Sequence, residues 1–190
     1  RPDPNFGNIS RYEGIGDSRY DGLTASFTLR SARWGQLRAA YTVSKALDDT
    51  GNFFFSAPQD NADVRGDWGL SDNDQRHRLV ISGSHATGRA DQGSLLRRTV
   101  AGWQFAYIVS YGSALPFNIQ TGTDRNNDTT VNDRPAGVAR NTGRGVDSLT
   151  ADVRLGRTLV AAGRLNIDAV VEAFNVLNRT NLQIPNNIFG

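Results

Sequence analysis

The chain is written in a two-residue rhythm. In Leu23–Leu29 the apolar positions are Leu23, Ala25, Phe27 and Leu29, separated by Thr24, Ser26 and Thr28. Ala39, Tyr41 and Val43 repeat the spacing, and Trp103, Phe105, Tyr107, Val109 and Tyr111 carry it over a longer run. Leu149–Leu155 and Leu165–Ala173 follow the same pattern. A period of two describes a β-strand with one apolar and one polar face. Strands are predicted at Gly7–Glu13, Arg19–Arg30, Gln36–Ala46, Arg76–Thr87, Val100–Ser113, Ser148–Thr158 and Arg164–Val176. Pro116–Thr121 reads either as a strand of its own or as an extension of the strand before it, bent at Ala114–Pro116. No helical period competes over any long window.

The expected fold class is therefore all-β, an antiparallel meander of seven or eight long strands. The connections alternate in length. Ser31–Gly35 and Leu159–Gly163 are short, Gly88–Thr99 is intermediate, and Leu47–Gln75 and Gly122–Asp147 are long. Small polar residues behind every apolar face imply a wet interior, and tight turns opposite large loops are the asymmetry of a transmembrane β-barrel wall. The two long loops are placed outside the cell and the three shorter connections in the periplasm. Trp34 and Trp103 fall near strand ends, where an aromatic girdle would sit. A strand of about ten to twelve residues, tilted by about 40°, covers about 25 Å, the height of an outer membrane's apolar band. A piece of such a wall has two open edges, so in isolation a curved open sheet is expected rather than a closed barrel.

Composition narrows the field. The chain has 190 residues, 38% of them hydrophobic, and a mean hydropathy of −0.46. No run approaches the roughly 18 apolar residues of a membrane helix, but a barrel needs only every second residue to face lipid. The net charge of +2 leaves no electrostatic footprint for nucleic acid. Cysteine is absent, which removes disulfides, thiolate metal sites and a cysteine nucleophile.

Several strings occur in a telling order. Tyr41-Thr42-Val43-Ser44-Lys45-Ala46-Leu47-Asp48-Asp49 ends one strand and opens a long loop; Asp74-Gln75-Arg76-His77-Arg78-Leu79 enters the next. Gly102-Trp103 begins a strand, and Pro116-Phe117 ends it. Asp133-Arg134-Pro135 and Arg140-Asn141 lie in the second long loop, and Glu172-Ala173-Phe174-Asn175-Val176-Leu177-Asn178-Arg179-Thr180-Asn181 closes the last strand. Together they resemble the C-terminal part of TonB-dependent outer-membrane receptors, in the Oar-like branch that carries a carboxypeptidase-regulatory-like domain. The resemblance implies a barrel of about 22 strands with an N-terminal plug, a partnership with the TonB complex through that plug, and uptake of a nutrient. It also implies that residues 1–190 are a single barrel segment of a longer protein, without the plug and the final strand.

Candidate chemistry is confined to the loops. Asp124, Asn126 and Asp128 stand at positions one, three and five of a D-x-N-x-D series, with Thr130 able to offer a carbonyl and Asp133 close by. That spacing aims oxygens at one point and suits Ca²⁺. Thr129 replaces the EF-hand glycine and Pro135 the bidentate glutamate, so the competing reading is an Asx-rich loop that stabilises its own turns. No other cofactor is implied. In the first long loop Phe53, Phe54, Phe55 and Trp68 are ligand-facing candidates among Asp48, Asp49, Asp60, Asp63, Asp67, Asp72 and Asp74; the plainer reading is a solvated loop whose phenylalanines pack on something. Glu172, Arg164, Asn166 and Asp168 share one face, opposite Asp152 and Arg154, as a charged ladder would.

Two readings compete with an outer-membrane wall. A soluble Ca²⁺-dependent carbohydrate-binding β-sandwich would bury Trp103, Phe105, Tyr107, Val109 and Tyr111, whereas a wall would expose them. A barrel hydrolase would set His77 or His85 beside a serine such as Ser82 or Ser84. No nucleophile motif surrounds these residues, and no enzyme activity is expected. His77, at a strand start, is expected to bond to a neighbouring strand or loop.

Overall fold

The computed structural model describes residues 13–33, 35–51, 57–88, 99–162, 165–183 and 185–189. Six long strands form one antiparallel sheet: β1 (Ser18–Ser31), β2 (Gly35–Asp48), β4 (His77–Ala86), β5 (Trp103–Gly112), β8 (Ser148–Ala162) and β9 (Leu165–Ala173). The order is β1-β2-β4-β5-β8-β9, so neighbours in sequence are neighbours in space, and β1 and β9 form the two edges. Two-residue β3 (Gly69–Leu70) adds to the end of β2. The sheet is open, as expected. The expected strand Gly7–Glu13 lies outside the described residues except for Glu13, which is not in a strand.

One expectation is corrected. Pro116–Thr121 neither joins the sheet nor extends β5. Only β6 (Pro116–Phe117) is extended, and it pairs with β7 (Gly143–Arg144) as a separate two-stranded ladder. Proline cannot donate to a central ladder, and the chain turns away after Gly112 into the second long loop.

Register turns the alternation into a surface. Leu23 pairs with Val43, Ala25 with Tyr41 and Phe27 with Ala39. Tyr41 and Ala39 pair onward with Leu79 and Ile81, and these with Tyr111 and Val109. Val109, Tyr107 and Phe105 continue to Ala151, Val153 and Leu155, and the last two to Ala173 and Val171. Because paired residues share a face, these alternating apolar positions form one continuous outward face, while Val80, Ile108 and Val170 fall on the other. The opposite face carries Thr24 and Thr42, whose hydroxyls lie 2.9 Å apart, then Arg38, Ser82, Ser110, Asp152 and Glu172. Arg154 donates to Glu172 at 3.1 Å, and Thr158 to Asp168 at 2.7 Å, which is the expected cross-strand ladder. Arg164 and the Asn166 side chain lie outside the description. A bulge at Leu159 lets Val160 pair with Ile167.

No second sheet covers the apolar face. Among the described residues Ala151 is the one buried hydrophobic side chain, while Leu23 and Val171 are each 69% exposed. None of Trp103, Phe105, Tyr107, Val109 and Tyr111 is buried. Phe105 is exposed and the other four are half-buried, which is not a sandwich core. Trp103 to Tyr111 spans about 20 Å of height at a tilt of about 40°. Aromatics mark both ends: Tyr41, His77 and Tyr111 toward the long loops, and Trp103 and Phe105 near the short connections. Arg157 lies over the Trp103 ring at 5.0 Å. Trp34 lies outside the described residues.

Candidate functional site

An antiparallel meander sends alternate connections to opposite ends. The long links β2–β4 and β5–β8, together with the segment after β9, all emerge at one end. There they interlock into a polar cap. Among the described residues the buried polar and charged ones are Asp48, Asp49, Asp67, Ser71, Asp74, Asp133, Arg140 and Asn141, all in these loops or at the strand end that feeds them.

Arginines from the second loop neutralise aspartates of the first. The Arg140 guanidinium bonds to the Asp48 carboxylate, donates to the Asp48 carbonyl at 2.7 Å and the Thr50 carbonyl at 2.9 Å, and stands 3.6 Å from Asp72. Arg134 donates to Asp67 at 2.5 Å, with both side chains 9% exposed. The Asp74 carboxylate accepts from the Ala46 N–H at 2.8 Å and from Arg76 at 3.0 Å, while Arg144 stands 3.9 Å away. Fully buried Asn141 donates from Nδ2 to the Leu70 carbonyl and to Asp72, both at 2.7 Å, and its N–H reaches Asn118 Oδ1 at 2.9 Å. Buried charges persist only when paired and hydrogen-bonded. Gly69 permits the loops' approach, since a Cβ there would lie 3.2 Å from the Arg140 carbonyl.

The structure brings the acidic stretch together as a scaffold. Asp60 accepts from the Ala62 N–H, and Asp63 caps the short 3₁₀ turn Val64–Asp67 by accepting from the Gly66 N–H. Trp68 is 43% exposed on the cap. Phe53, Phe54 and Phe55 lie outside the described residues.

The D-x-N-x-D series turns its oxygens onto its own backbone. Asp124 accepts from the N–H groups of Asp128 at 3.2 Å and Thr129 at 2.8 Å, Asn126 Oδ1 from Asp128 at 3.0 Å, and Asp128 from Thr130 at 2.8 Å. Asp133 Oδ2 accepts from Arg125 and Asn126. Asn126 and Asp128 form Asx turns, and among the described residues no three acidic or histidine side chains converge as metal ligands. The amides then tie the loop to its neighbour: Asn126 Nδ2 donates to the Gln59 carbonyl at 2.6 Å, and Asn132 Nδ2 to the Ala57 carbonyl at 3.1 Å.

His77 bonds to a neighbouring strand through the Tyr41 hydroxyl, 2.8 Å from Nδ1, and stacks on that ring. His85 stacks on Tyr107. Both sit on the apolar face by register, whereas Ser82 and Ser84 sit on the other. Asp147, ahead of β8, accepts from the Ala114 N–H at 2.8 Å and from the Tyr111 hydroxyl at 2.9 Å. These two bonds, the backbone one first, hold its carboxyl below the ordinary range.

Between the loops lies a cavity of about 220 Å³. Its walls include Gln59, Asp67 and Asp72 from the first loop and Asn118, Asn132 and Arg134 from the second. Sequence reading assigned no role to Gln59, Asn118, Arg134 or Arg140. One signal pointed that way: from Asp49 to Asp74 the chain holds six aspartates and one basic residue, Arg65, so the countercharge must come from elsewhere.

The family model described as Outer membrane beta barrel domain matches residues 1–145. No curated protein and no solved structure matches the chain. This chain belongs to the outer-membrane β-barrel domain family, and its place is the bacterial outer membrane.

Proposed function

We propose that, within this outer-membrane barrel family, the chain is a wall segment of a TonB-dependent receptor of the Oar-like branch, serving nutrient uptake. The observation that carries the reading is the polar cap. Two long loops, far apart in sequence, are cross-linked by Arg140–Asp48 and Arg134–Asp67 into one body at one end of the strands. A simple pore gains nothing from so many buried charges, whereas a ligand-binding mouth needs fixed loops. The ordered strings from Tyr41 to Asn181 support the finer assignment.

In this mechanism the apolar face meets lipid and the polar face lines the lumen. The cap and Trp68 contribute to the ligand-facing mouth. A plug elsewhere in the protein couples to TonB, which uses the proton-motive force to let the nutrient pass. The segment performs no covalent chemistry, requires no cofactor and contacts no nucleic acid.

The test is in-cell crosslinking of the intact protein to TonB, paired with conductance of the purified protein in planar bilayers. The expected result is a TonB adduct and a closed barrel. No adduct, together with steady passive conductance, would replace the receptor with a porin-like channel.

A further inference from the structure

The lipid-facing side of the sheet changes character at its long-loop end. The strand ends step down the sheet there: β2 runs to Asp48, β4 begins at His77 opposite Val43, and β5 ends at Gly112 opposite Arg78. Tilted strands of a barrel meet the membrane surface in such a staircase. Along it, on the outward face, stand Arg19 of β1, Lys45 of β2, His77 of β4 and Tyr111 of β5, each set two residues in register from the one before. Below them the outward positions become apolar at Leu23, Val43, Leu79 and Val109. Aromatic side chains settle at headgroup depth, so Arg19 and Lys45, level with His77 and Tyr111, stand among the lipid headgroups.

The charges of this rim are not balanced. Arg19 donates to Asp21 from Nε at 2.8 Å and from Nη2 at 3.4 Å, and its side chain stays 68% exposed. Lys45 is exposed and faces the same Asp21 across the register. Among the described residues the Lys45 ammonium has no hydrogen-bond or ion-pair partner. Two cations thus share one carboxylate on the side of the sheet that meets lipid. A cation on that side is costly toward mid-membrane and cheap at the interface, where anionic headgroups supply the countercharge. Arg19 and Lys45 are diagonal neighbours, about 7–8 Å apart at Cα. Long side chains at that spacing can close on one phosphate group through charge-assisted hydrogen bonds.

We propose that Arg19 and Lys45 form a docking site for a phosphate group of the outer-leaflet glycolipid, with the acyl chains of that lipid lying along Leu23 and Val43. The site continues the apolar band upward, so one lipid molecule meets both: chains on the band, phosphate on the two cations. The leaflet follows from the placement of the long loops outside the cell, where a bacterial outer membrane presents phosphorylated glycolipid. The rim is independent of the uptake reading and needs only the wall and its orientation. At the opposite rim the outward cation Arg157 is already engaged by the Trp103 ring at 5.0 Å.

The experiment is native mass spectrometry of the intact protein, delipidated in micelles and titrated with lipid A, with lipid A stripped of its phosphates, and with phosphatidylglycerol. Lys45→Gln and Arg19→Gln each remove one cation; Lys45→Arg keeps it; Arg78→Gln removes a cation from the opposite, lumen face of β4. Heat-modifiable gel mobility confirms that each variant is folded. Saturable retention of lipid A is expected, weakened about fivefold by either Gln variant and about thirtyfold by both together. Lys45→Arg and Arg78→Gln should bind as wild type, and the dephosphorylated lipid and phosphatidylglycerol should bind more weakly than lipid A. Undiminished lipid A binding in the folded double variant overturns the site. Equal binding of the dephosphorylated lipid removes the phosphate, and equal binding of phosphatidylglycerol removes the glycolipid, so either result also overturns the proposal. The readout does not involve TonB, so its failure leaves the uptake reading standing.

Discussion

Arg140 and Asp48, 92 residues apart in sequence, form a buried ion pair that locks the second long loop onto the end of β2. The guanidinium also holds the carbonyls of Asp48 and Thr50. One side chain thus fixes the position at which the first long loop leaves the sheet.

Arg140→Ala leaves the Asp48 carboxylate buried without its partner. Breaking such a pair costs about 3–5 kcal/mol. The cost falls on the cap, because the strands are held by their own ladders. Limited proteolysis of the intact protein in vesicles should show new cuts within residues 57–76 and 118–144, while the heat-modifiable gel mobility of the folded barrel persists. Loss of that mobility shift would mean that the pair supports the wall.

Val109 and Ser110 are neighbours on opposite faces of β5. Val109→Arg puts a charge in mid-membrane at a cost of about 2–4 kcal/mol, whereas a charge on the lumen side is tolerated. Folding yield into lipid vesicles should fall sharply for Val109→Arg and stay near wild type for Ser110→Arg. Equal yields would contradict the assignment of faces.

Tyr107 lies across Gly83, its partner in register, and a Cβ on Gly83 would stand 2.5 Å from the ring. An aromatic laid over a glycine covers an otherwise bare stretch of backbone. Gly83→Val forces the ring away and should cost about 1–3 kcal/mol, read as a lower urea midpoint in micelles. Tyr107→Ala combined with Gly83→Val should be less than additive.

Asp147 links the second loop to β5 through Ala114 and Tyr111. Its carboxyl is held below the usual range in the folded protein. A depressed folded value means that the link stabilises the protein above the ordinary carboxylate range and is lost as pH falls through the folded value. The ¹³C carboxyl resonance of Asp147 should titrate below that of a free aspartate. Asp147→Asn should remove the corresponding acid-side decline in loop protection. A normal titration would show that the two hydrogen bonds do not favour the charged form.

The wall was legible because its physics is local. Alternation at Leu23–Leu29 and Trp103–Tyr111 sets the faces, and antiparallel neighbours set the order. The cap was not legible, because its contacts depend on pairs such as Arg140–Asp48 and Arg134–Asp67 that no local pattern couples. The same distance effect misled the reading of Pro116–Thr121: Phe117 meets Gly143 across a long loop, in a ladder of two residues. The aspartates of the first loop looked like a ligand-facing or solvated set. They became a scaffold once cations from the second loop arrived.

The most direct test of the wall uses the absence of cysteine from residues 1–190. Single cysteines at successive positions from Gln104 to Tyr111 of the intact protein in lipid vesicles, each spin-labelled, report oxygen against aqueous-quencher accessibility. The account predicts a two-residue alternation, with Phe105→Cys, Tyr107→Cys and Val109→Cys open to oxygen in lipid and Gln104→Cys, Ala106→Cys and Ser110→Cys open to the aqueous reagent. Odd positions closed to both reagents would mean a dry protein core on that face, and would contradict a membrane wall.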